Sequence, residues 1–284
     1  MESAPLMIDC PTVTKTVIRG HYDLSTLFYR LLWGPHIHHG LWTSDESPRV
    51  AQLQLTERLA DFARVRSGTE MVDIGCGMGA SSIHLAKTRG SRSLGVTISP
   101  LQRRWAQAAA LLQGVGGATR FQCTDAEALQ LAANSVDVVW SVECTEHLFD
   151  KASFFQRTAQ WLRPGGRIAI CAWLAGDRAN TEQGRQLVYD VCEGFFCPSL
   201  GASEDYVRWF EQAGLVMERN EDWTSRVLKT WEICRQRVDR TGVRWLARLV
   251  DRDTVMFLDR FQTILDAYRT GAMAYGCFVA RKPG

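Results

Sequence analysis

The stretch Met71–Ala80, MVDIGCGMGA, decides the fold. A short apolar run ends in Asp73, and Gly75, Gly77 and Gly79 follow at every second position before a helical pattern opens over residues 81–87. A strand that turns through glycines into a helix N-terminus lets a ligand approach the bare backbone. It also aims unpaired N–H groups at that ligand. Gly75, Gly77 and Ala80 satisfy G-x-G-x-x-G/A, so spacing by itself leaves open a dinucleotide, another nucleoside, or a turn that only packs helix on strand. Two neighbours narrow the choice. Asp73 precedes the first glycine, where its carboxylate can reach a cation such as an amino acid's ammonium. A dinucleotide enzyme also wants an acid about 20 residues on for the ribose. Here the second strand ends Leu94-Gly95-Val96-Thr97, with no acid, which argues against an oxidoreductase.

Outward from that turn, strand and helix patterns alternate. Strands are predicted at 70–74, 92–96, 118–123, 136–142 and 167–173. Ser99-Pro100 marks a helix start, with Ser as cap and Pro at the first helical position. That helix runs to about Leu112. Another spans 151–162 and is closed by Arg163-Pro164-Gly165-Gly166. The largely apolar run Val136–Val142 suits a strand buried on both faces. The alternation predicts a parallel, doubly wound α/β sheet with its site at the C-terminal ends of the strands.

After Trp173 the rhythm breaks. Residues 174–201 read as a lid or insertion, and 202–214 as a helix with Ser203 as cap. A strand is expected near 215–221, a helical insertion rich in Trp and Arg over 225–270, and a last strand at 272–281. Ahead of the sheet, residues 1–20 read as a loosely docked arm, residues 16–32 show helical spacing, and 48–65 form an amphipathic helix. The expected organisation is a single domain over 1–284. It comprises an N-terminal arm and lid helices (1–66), a cofactor-binding core (67–173), and acceptor-side insertions with the last strands (174–284).

Composition excludes several classes. A formal charge of +2 gives no electrostatic case for nucleic acid, which would want a clustered basic face. The nine cysteines contain no C-x-x-C pair, so neither zinc nor a disulfide framework is indicated, and an odd number suits a reducing compartment. The N-terminus lacks a secretory pattern, and no run approaches the roughly 18 apolar residues of a membrane span. The expectation is a cytoplasmic protein that is not an integral membrane protein; a homo-oligomer stays open.

Candidate chemistry clusters at strand ends. In Gly95–Gln102, GVTISPLQ, Thr97 and Gln102 can hydrogen-bond ribose hydroxyls and Ile98 can cover a purine. The alternative is a polar strand-to-helix turn. Asp125-Ala126-Glu127 offers a carboxylate and an amide to an adenine edge, or Asp125 simply caps the next turn. Ser141–Asp150, SVECTEHLFD, places Glu143, Glu146 and His147 after a strand. His147 reads equally as general base or as a packing residue. Trp173 reads as a wall of an acceptor pocket or as plain core. His36, His38 and His39 lack the helical spacing and nearby carboxylate of a metal site, so no metal is expected. They read as loop packing or as a lid that excludes water.

Together, the glycine turn, His21–Gly34, HIHHGLW (36–42), GVTISPLQ, SVECTEHLFDKASFF and LRPGGRIAICAW resemble class I S-adenosylmethionine-dependent methyltransferases. Within them the chain is similar to the tocopherol O-methyltransferase family, near the cyclopropane-fatty-acid synthase and sarcosine/dimethylglycine methyltransferase groups. The resemblance implies a Rossmann-like sheet of seven strands with an antiparallel last strand. It implies S-adenosyl-L-methionine as cofactor, with Asp73, Gly75 and Gly77 at the methionine moiety and His38 and Tyr22 closing over it. Thr97, Ile98 and Gln102 would hold ribose and purine, Asp125 and Ala126 the adenine. Ser141 and Val142 would line the path to the methyl group. The implied reaction is methylation of a small lipophilic or aromatic acceptor, O-methylation being favoured. Alternatives are C-methylation of a prenyl diphosphate, N-methylation in specialised metabolism, and a non-catalytic cofactor-binding module. Trp209, Trp223, Trp231 and Trp245 favour a greasy acceptor. Arg226, Arg235, Arg237, Arg244 and Arg248 read as solvated helix faces or as holders of an anionic head.

Overall fold

In the computed structural model, which describes residues 7–20, 34, 36–241 and 252–284, the predicted alternation of strands and helices is realised. After β1 (Ile8–Asp9) and α1 (Pro48–Phe62) come β2 (Glu70–Ile74), α2 (Ala80–Arg89), β3 (Arg92–Thr97), α3 (Pro100–Leu112), β4 (Thr119–Cys123), β5 (Val136–Val142) and α4 (Lys151–Trp161). They are followed by β6 (Leu162–Ala175), α5 (Glu182–Phe195), β7 (Ser199–Leu200), α6 (Ser203–Gln212) and β8 (Val216–Asp222). The chain ends with α7 (Thr224–Val227), α8 (Lys229–Thr241), α9 (Arg252–Arg269) and β9 (Met273–Arg281). Seven strands form one sheet in the order β4-β3-β2-β5-β6-β9-β8. Pairs β2–β3, β3–β4, β2–β5 and β5–β6 are parallel. β9 runs antiparallel to β6: Gly165 N–H donates to Lys282 O at 3.0 Å, and farther along Gly176 N–H donates to Ala272 O at 2.8 Å. This is the Rossmann-like, doubly wound arrangement with its reversed last strand.

The chain divides into two compact units. One comprises Leu55–Ala172, Val207–Glu221 and Cys277–Gly284; the other comprises Met1–Gln54, Trp173–Tyr206 and Asp222–Gly276.

In the first unit, Ile83, Ala106, Ala110 and Phe121 join α2, α3 and β4 in one cluster. Its tightness explains two glycines: a Cβ at Gly79 or Gly95 would stand 2.7 or 2.6 Å from the Phe121 ring. Phe155 stacks on Trp209 at 5.6 Å and meets Phe210 edge-on at 4.8 Å. Such pairs add about 0.5–1.5 kcal/mol beyond area burial. Glu218 accepts from both Arg167 (2.8 Å) and Arg281 (3.1 Å), and these guanidinium groups hold its pKa below the usual carboxylate value despite its burial.

In the second unit, β1 pairs antiparallel with β7, Ile8 opposite Leu200. Cys10, Val13 and Ile18 are buried. The loosely docked arm expected over 1–20 is corrected for its described part, which adds a strand to a short sheet whose partner lies far off in sequence. Residues 15–20 are helical; the rest of the helix expected at 16–32 lies outside the described residues. Phe195 of α5 packs against Phe257 and Phe261 of α9, and Arg260 meets Glu193 at 2.8 Å.

Two local expectations are corrected. Arg163-Pro164-Gly165-Gly166 was expected to close a helix ahead of a strand at 167–173, but β6 already begins at Leu162. Lys282 pairs with both glycines, its N–H donating to Gly166 O at 2.9 Å. Ser203 is the first residue of α6 rather than its cap; the Asp205 carboxylate takes the Ala202 N–H at 2.8 Å.

Candidate active site

The first unit brings four strand ends together through adjacent parallel pairing, β4-β3-β2-β5. At the end of β2, Asp73 is 3 % exposed and accepts from Ser82 Oγ at 2.7 Å. Desolvation pushes its pKa up to about 6, and the Ser82 hydrogen bond opposes that rise only in part. A buried carboxylate with one neutral donor is undercompensated, and a bound ammonium would complete it.

The glycine turn does two kinds of work. Gly75, Gly77 and Gly79 all have positive φ (75°, 52° and 76°). A Cβ at Gly75 would lie 2.3 Å from Cys144 Cβ, so this glycine admits the loop after β5, whereas a Cβ at Gly77 would meet nothing within 4 Å. The expectation that the turn aims unpaired amides at a ligand is corrected for three of them. Gly75 and Cys76 N–H both donate to Val96 O at 2.9 Å, and Gly79 N–H donates to Cys76 O at 2.8 Å. The turn is braced on β3, and Gly77 is the residue that leaves room for a ligand.

After β3, Thr97 Oγ1 donates to Gln102 Oε1 at 2.9 Å and accepts from Ser99 N–H at 3.2 Å. Ser99 caps α3 by accepting from Gln102 N–H at 3.1 Å, as its place before Pro100 predicts. Thr97 is therefore engaged within the loop and orients Gln102. Gln102 is 3 % exposed, and its Nε2 has no hydrogen-bond partner. Ser141 Oγ, at the end of β5 and fully buried, is likewise unpartnered. An orphaned amide donor in the first turn of α3 and an orphaned hydroxyl near the end of β5 are what a bound polar ligand would satisfy. Ile98, between β3 and α3, is half-buried.

After β4, Asp125 Oδ1 accepts from Glu127 N–H at 2.9 Å, the local turn that was its alternative reading. Ala126 is half-buried. Glu127, to which sequence reasoning gave no separate role, ties this loop to the next: its Oε1 accepts from Phe149 N–H at 3.0 Å and Asp150 N–H at 2.6 Å.

The loop after β5 carries Glu143 in left-handed conformation (φ 53°), its N–H donating to Cys171 O at 2.8 Å. A non-glycine residue held there stores strain of order 1–3 kcal/mol, as functional loops often do. Val142 and His147 are half-buried, and Glu146 is 2 % exposed within a 3₁₀ turn, Thr145–His147. Lys151, 3 % exposed, donates to Leu148 O at 2.7 Å and closes that turn. Lys151 and Ser82 were missed. Ser82 had a readable signal, a hydroxyl in the first turns of the helix that follows the acid; Lys151 entered only as the first residue of the helix over 151–162.

The remaining candidates lie in the second unit. His36 Nδ1 and His38 Nε2 are 3.1 Å apart, and His38 Nδ1 donates to His39 O at 2.7 Å. His36, His38 and His39 are all buried. Trp231 Nε1 donates to His39 Nε2 at 2.5 Å, and His39 also packs against Trp173, Tyr268 and Tyr275. Trp173 further meets Phe195 and Trp231 edge-on. The two sequence readings meet here, since the loop histidines are core and Trp173 is part of the same cluster. Among the described residues no group of three His, Cys, Asp or Glu could hold a metal ion, and no helix is long and apolar enough to cross a membrane. Tyr22, Trp245, Arg244 and Arg248 lie outside the described residues. Trp209 and Trp223 are buried, and Arg235 bonds Gln262.

With this geometry in place, the comparisons are specific. The profile of the family described as mycolic acid cyclopropane synthetase matches residues 11–273. Tocopherol O-methyltransferase, chloroplastic, of Arabidopsis thaliana is 29 % identical over 96 % of this chain and 84 % of its own. The 27-O-demethylrifamycin SV methyltransferase of Amycolatopsis mediterranei (strain S699) is 30 % identical over 95 % and 98 %. The cyclopropane synthase MmaA2 from Mycobacterium tuberculosis superposes with a TM-score of 0.85 at 17 % identity, covering 95 % and 99 %.

Proposed function

The chain belongs to the mycolic acid cyclopropane synthetase family and is an S-adenosylmethionine-dependent methyltransferase, and we propose that it O-methylates a small lipophilic or aromatic acceptor. The observation that carries the site assignment is the buried, undercompensated Asp73 at the end of β2, with orphaned polar groups on the segments after and along its neighbouring strands, Gln102 Nε2 after β3 and Ser141 Oγ on β5. The acceptor class is supported by the relatives' names, a tocopherol and a rifamycin methyltransferase.

When bound, the cofactor supplies an activated methyl group on a sulfonium sulfur. Asp73 takes the ammonium of its methionine end, with Ser82 fixing the carboxylate rotamer, and Gly77 gives the backbone room for close approach. Gly75 sets the path of that turn. Gln102, oriented by Thr97, donates to a ribose hydroxyl, Ile98 covers the purine, and Asp125 with the Ala126 amide reads the adenine edge. Ser141 and Val142 flank the way to the reacting methyl. Alignment and water exclusion supply most of the acceleration in such an in-line displacement. A phenolic acceptor must also lose a proton, and His147 is the assigned base, with Glu143 and Glu146 as the neighbouring carboxylates that orient it or share the task. For Tyr22, His38 and Trp173 as closing and acceptor-wall residues, the support is family likeness alone. The same likeness supports a role in specialised metabolism.

A panel of lipophilic phenols, amines and prenyl diphosphates, incubated with methyl-labelled donor and read by mass spectrometry, tests this reading. An O-methylated phenol is the expected product. Exclusive methylation at carbon or nitrogen would overturn the O-methyl assignment, and donor binding without turnover on any acceptor would favour a binding module.

A further inference from the structure

Helix α3 has its amphipathicity reversed. Its inner residues, packed toward β3 and β4, are Gln102, Ala106 and Ala110. Its outer residues are the large ones: Leu101 is 37 % exposed, Trp105 47 %, Leu111 64 % and Leu112 88 %. These are four of the nine exposed large apolar side chains among the described residues. Leu101, Trp105, Ala108 and Leu112 recur at i, i+4, i+7 and i+11, so at 3.6 residues per turn they lie within about 60° of one another and form one stripe. Isolated exposed leucines are ordinary, but a contiguous stripe on one helix marks an interaction surface.

Charge indicates what covers it. From residue 74 to residue 124 the sequence has no Asp or Glu. The helix itself, PLQRRWAQAAALL, carries Arg103 and Arg104 and no acid. Arg104 is exposed next to the stripe, and Lys87 reaches the end of the helix, its Nζ donating to Gln113 Oε1 at 3.4 Å. A helix with Leu and Trp on its outer face, flanked by cations and free of acids, has the make-up of one that lies in a lipid headgroup layer. There the rings and aliphatic chains enter the acyl boundary and the cations meet anionic headgroups. A second copy of the chain would set these cations against their own kind in a symmetric contact, which disfavours self-association through this face.

We propose that α3 is a membrane-docking helix that seats the protein on an anionic lipid surface through Leu101, Trp105 and Leu112, with Arg104 and Lys87 at the headgroups. Leu101 neighbours Gln102, so the docked face adjoins the strand-end loop assigned to the cofactor. The inference does not depend on the identity of the acceptor.

The test is co-sedimentation of the full chain with phosphatidylcholine vesicles made with and without phosphatidylglycerol, at low and high salt. The expected result is binding to the anionic vesicles that weakens with salt. In Leu101→Ser/Trp105→Ser/Leu112→Ser it falls about tenfold or more, while circular dichroism and donor affinity are unchanged. Arg104→Glu/Lys87→Glu, which leaves the apolar stripe whole, should abolish the preference for anionic vesicles and serves if the triple variant misfolds. No vesicle binding, binding equal in parent and variants, or a dimer in the parent that the triple variant converts to monomer would each overturn the proposal.

Discussion

At the scale of single residues, Asp73 sets function against stability. Its carboxyl pKa, near 3.8 in an unfolded chain, is raised to about 6 by burial. The native state therefore holds its proton more tightly than the unfolded state, and stability declines as pH rises from about 4 to about 6, then levels off. Asp73→Asn removes that penalty. Without donor, the variant should gain on the order of 1–3 kcal/mol at pH 8 and nothing at pH 3.5, read as the difference in thermal midpoint from the parent. Its donor affinity should fall about 10- to 150-fold by calorimetry, the loss of a charged hydrogen bond. In the parent, donor binding should strengthen as pH rises through about 6. Unchanged affinity in the variant would remove Asp73 from the site. Asp125→Asn is a cleaner probe of the adenine edge, because Asn keeps an Oδ1 for the Glu127 N–H and the turn survives. Weaker donor binding with an unchanged melting temperature is the expected outcome, and equal binding would refute the role.

Among elements, local pattern carried what local chemistry decides. Val136–Val142 is apolar at all but Asp137 and Ser141 because the strand is covered on both faces, and Ser99-Pro100 starts α3 because the hydroxyl caps and the ring fits the first turn. What escaped depends on partners remote in sequence. The glycines that begin β6 are held by Lys282, and Ile8 finds Leu200. At the start of α6 the Asp205 carboxylate takes the Ala202 N–H. At the candidate site, spacing placed Asp73, Gly75, Gly77, Thr97 and Gln102 at the ends of β2 and β3 and in the turns that follow, where the fold has them. That the Gly75 amide braces β3, and that Thr97 serves Gln102, needed the folded geometry. The packing of α2 on β4 is testable at Gly79, whose missing Cβ accommodates Phe121. Gly79→Ala should destabilise the protein by about 1–3 kcal/mol through overpacking and its positive φ, in urea unfolding. Phe121→Leu in the same chain should recover the overpacking part. No recovery would show that backbone strain alone is responsible.

For the whole molecule, a further reading of the sequence takes residues 21–42 as a lid that orders only when donor or product is bound. Its described portion, residues 36–42, is already part of the second unit: Gly40 N–H and Trp42 Nε1 both donate to Thr230 Oγ1, at 2.9 and 3.0 Å, and Gln52 Nε2 donates to His36 O at 2.8 Å. Amide exchange in 36–42 should therefore be slow with or without donor product. Fast exchange that slows on binding would restore the donor-ordered lid for this stretch. The distribution of thiols has a practical consequence. Six of the nine cysteines are buried and two are half-buried, Cys76 and Cys144, whose thiols burial holds well above the usual value, so neither offers a thiolate at neutral pH. Cys123 alone is exposed, two residues before Asp125. The native chain should thus accept a single maleimide fluorophore with no engineered site. Occupancy of the nucleoside end could then be followed as slower labelling or a change in emission, which provides a binding assay before any acceptor has been found.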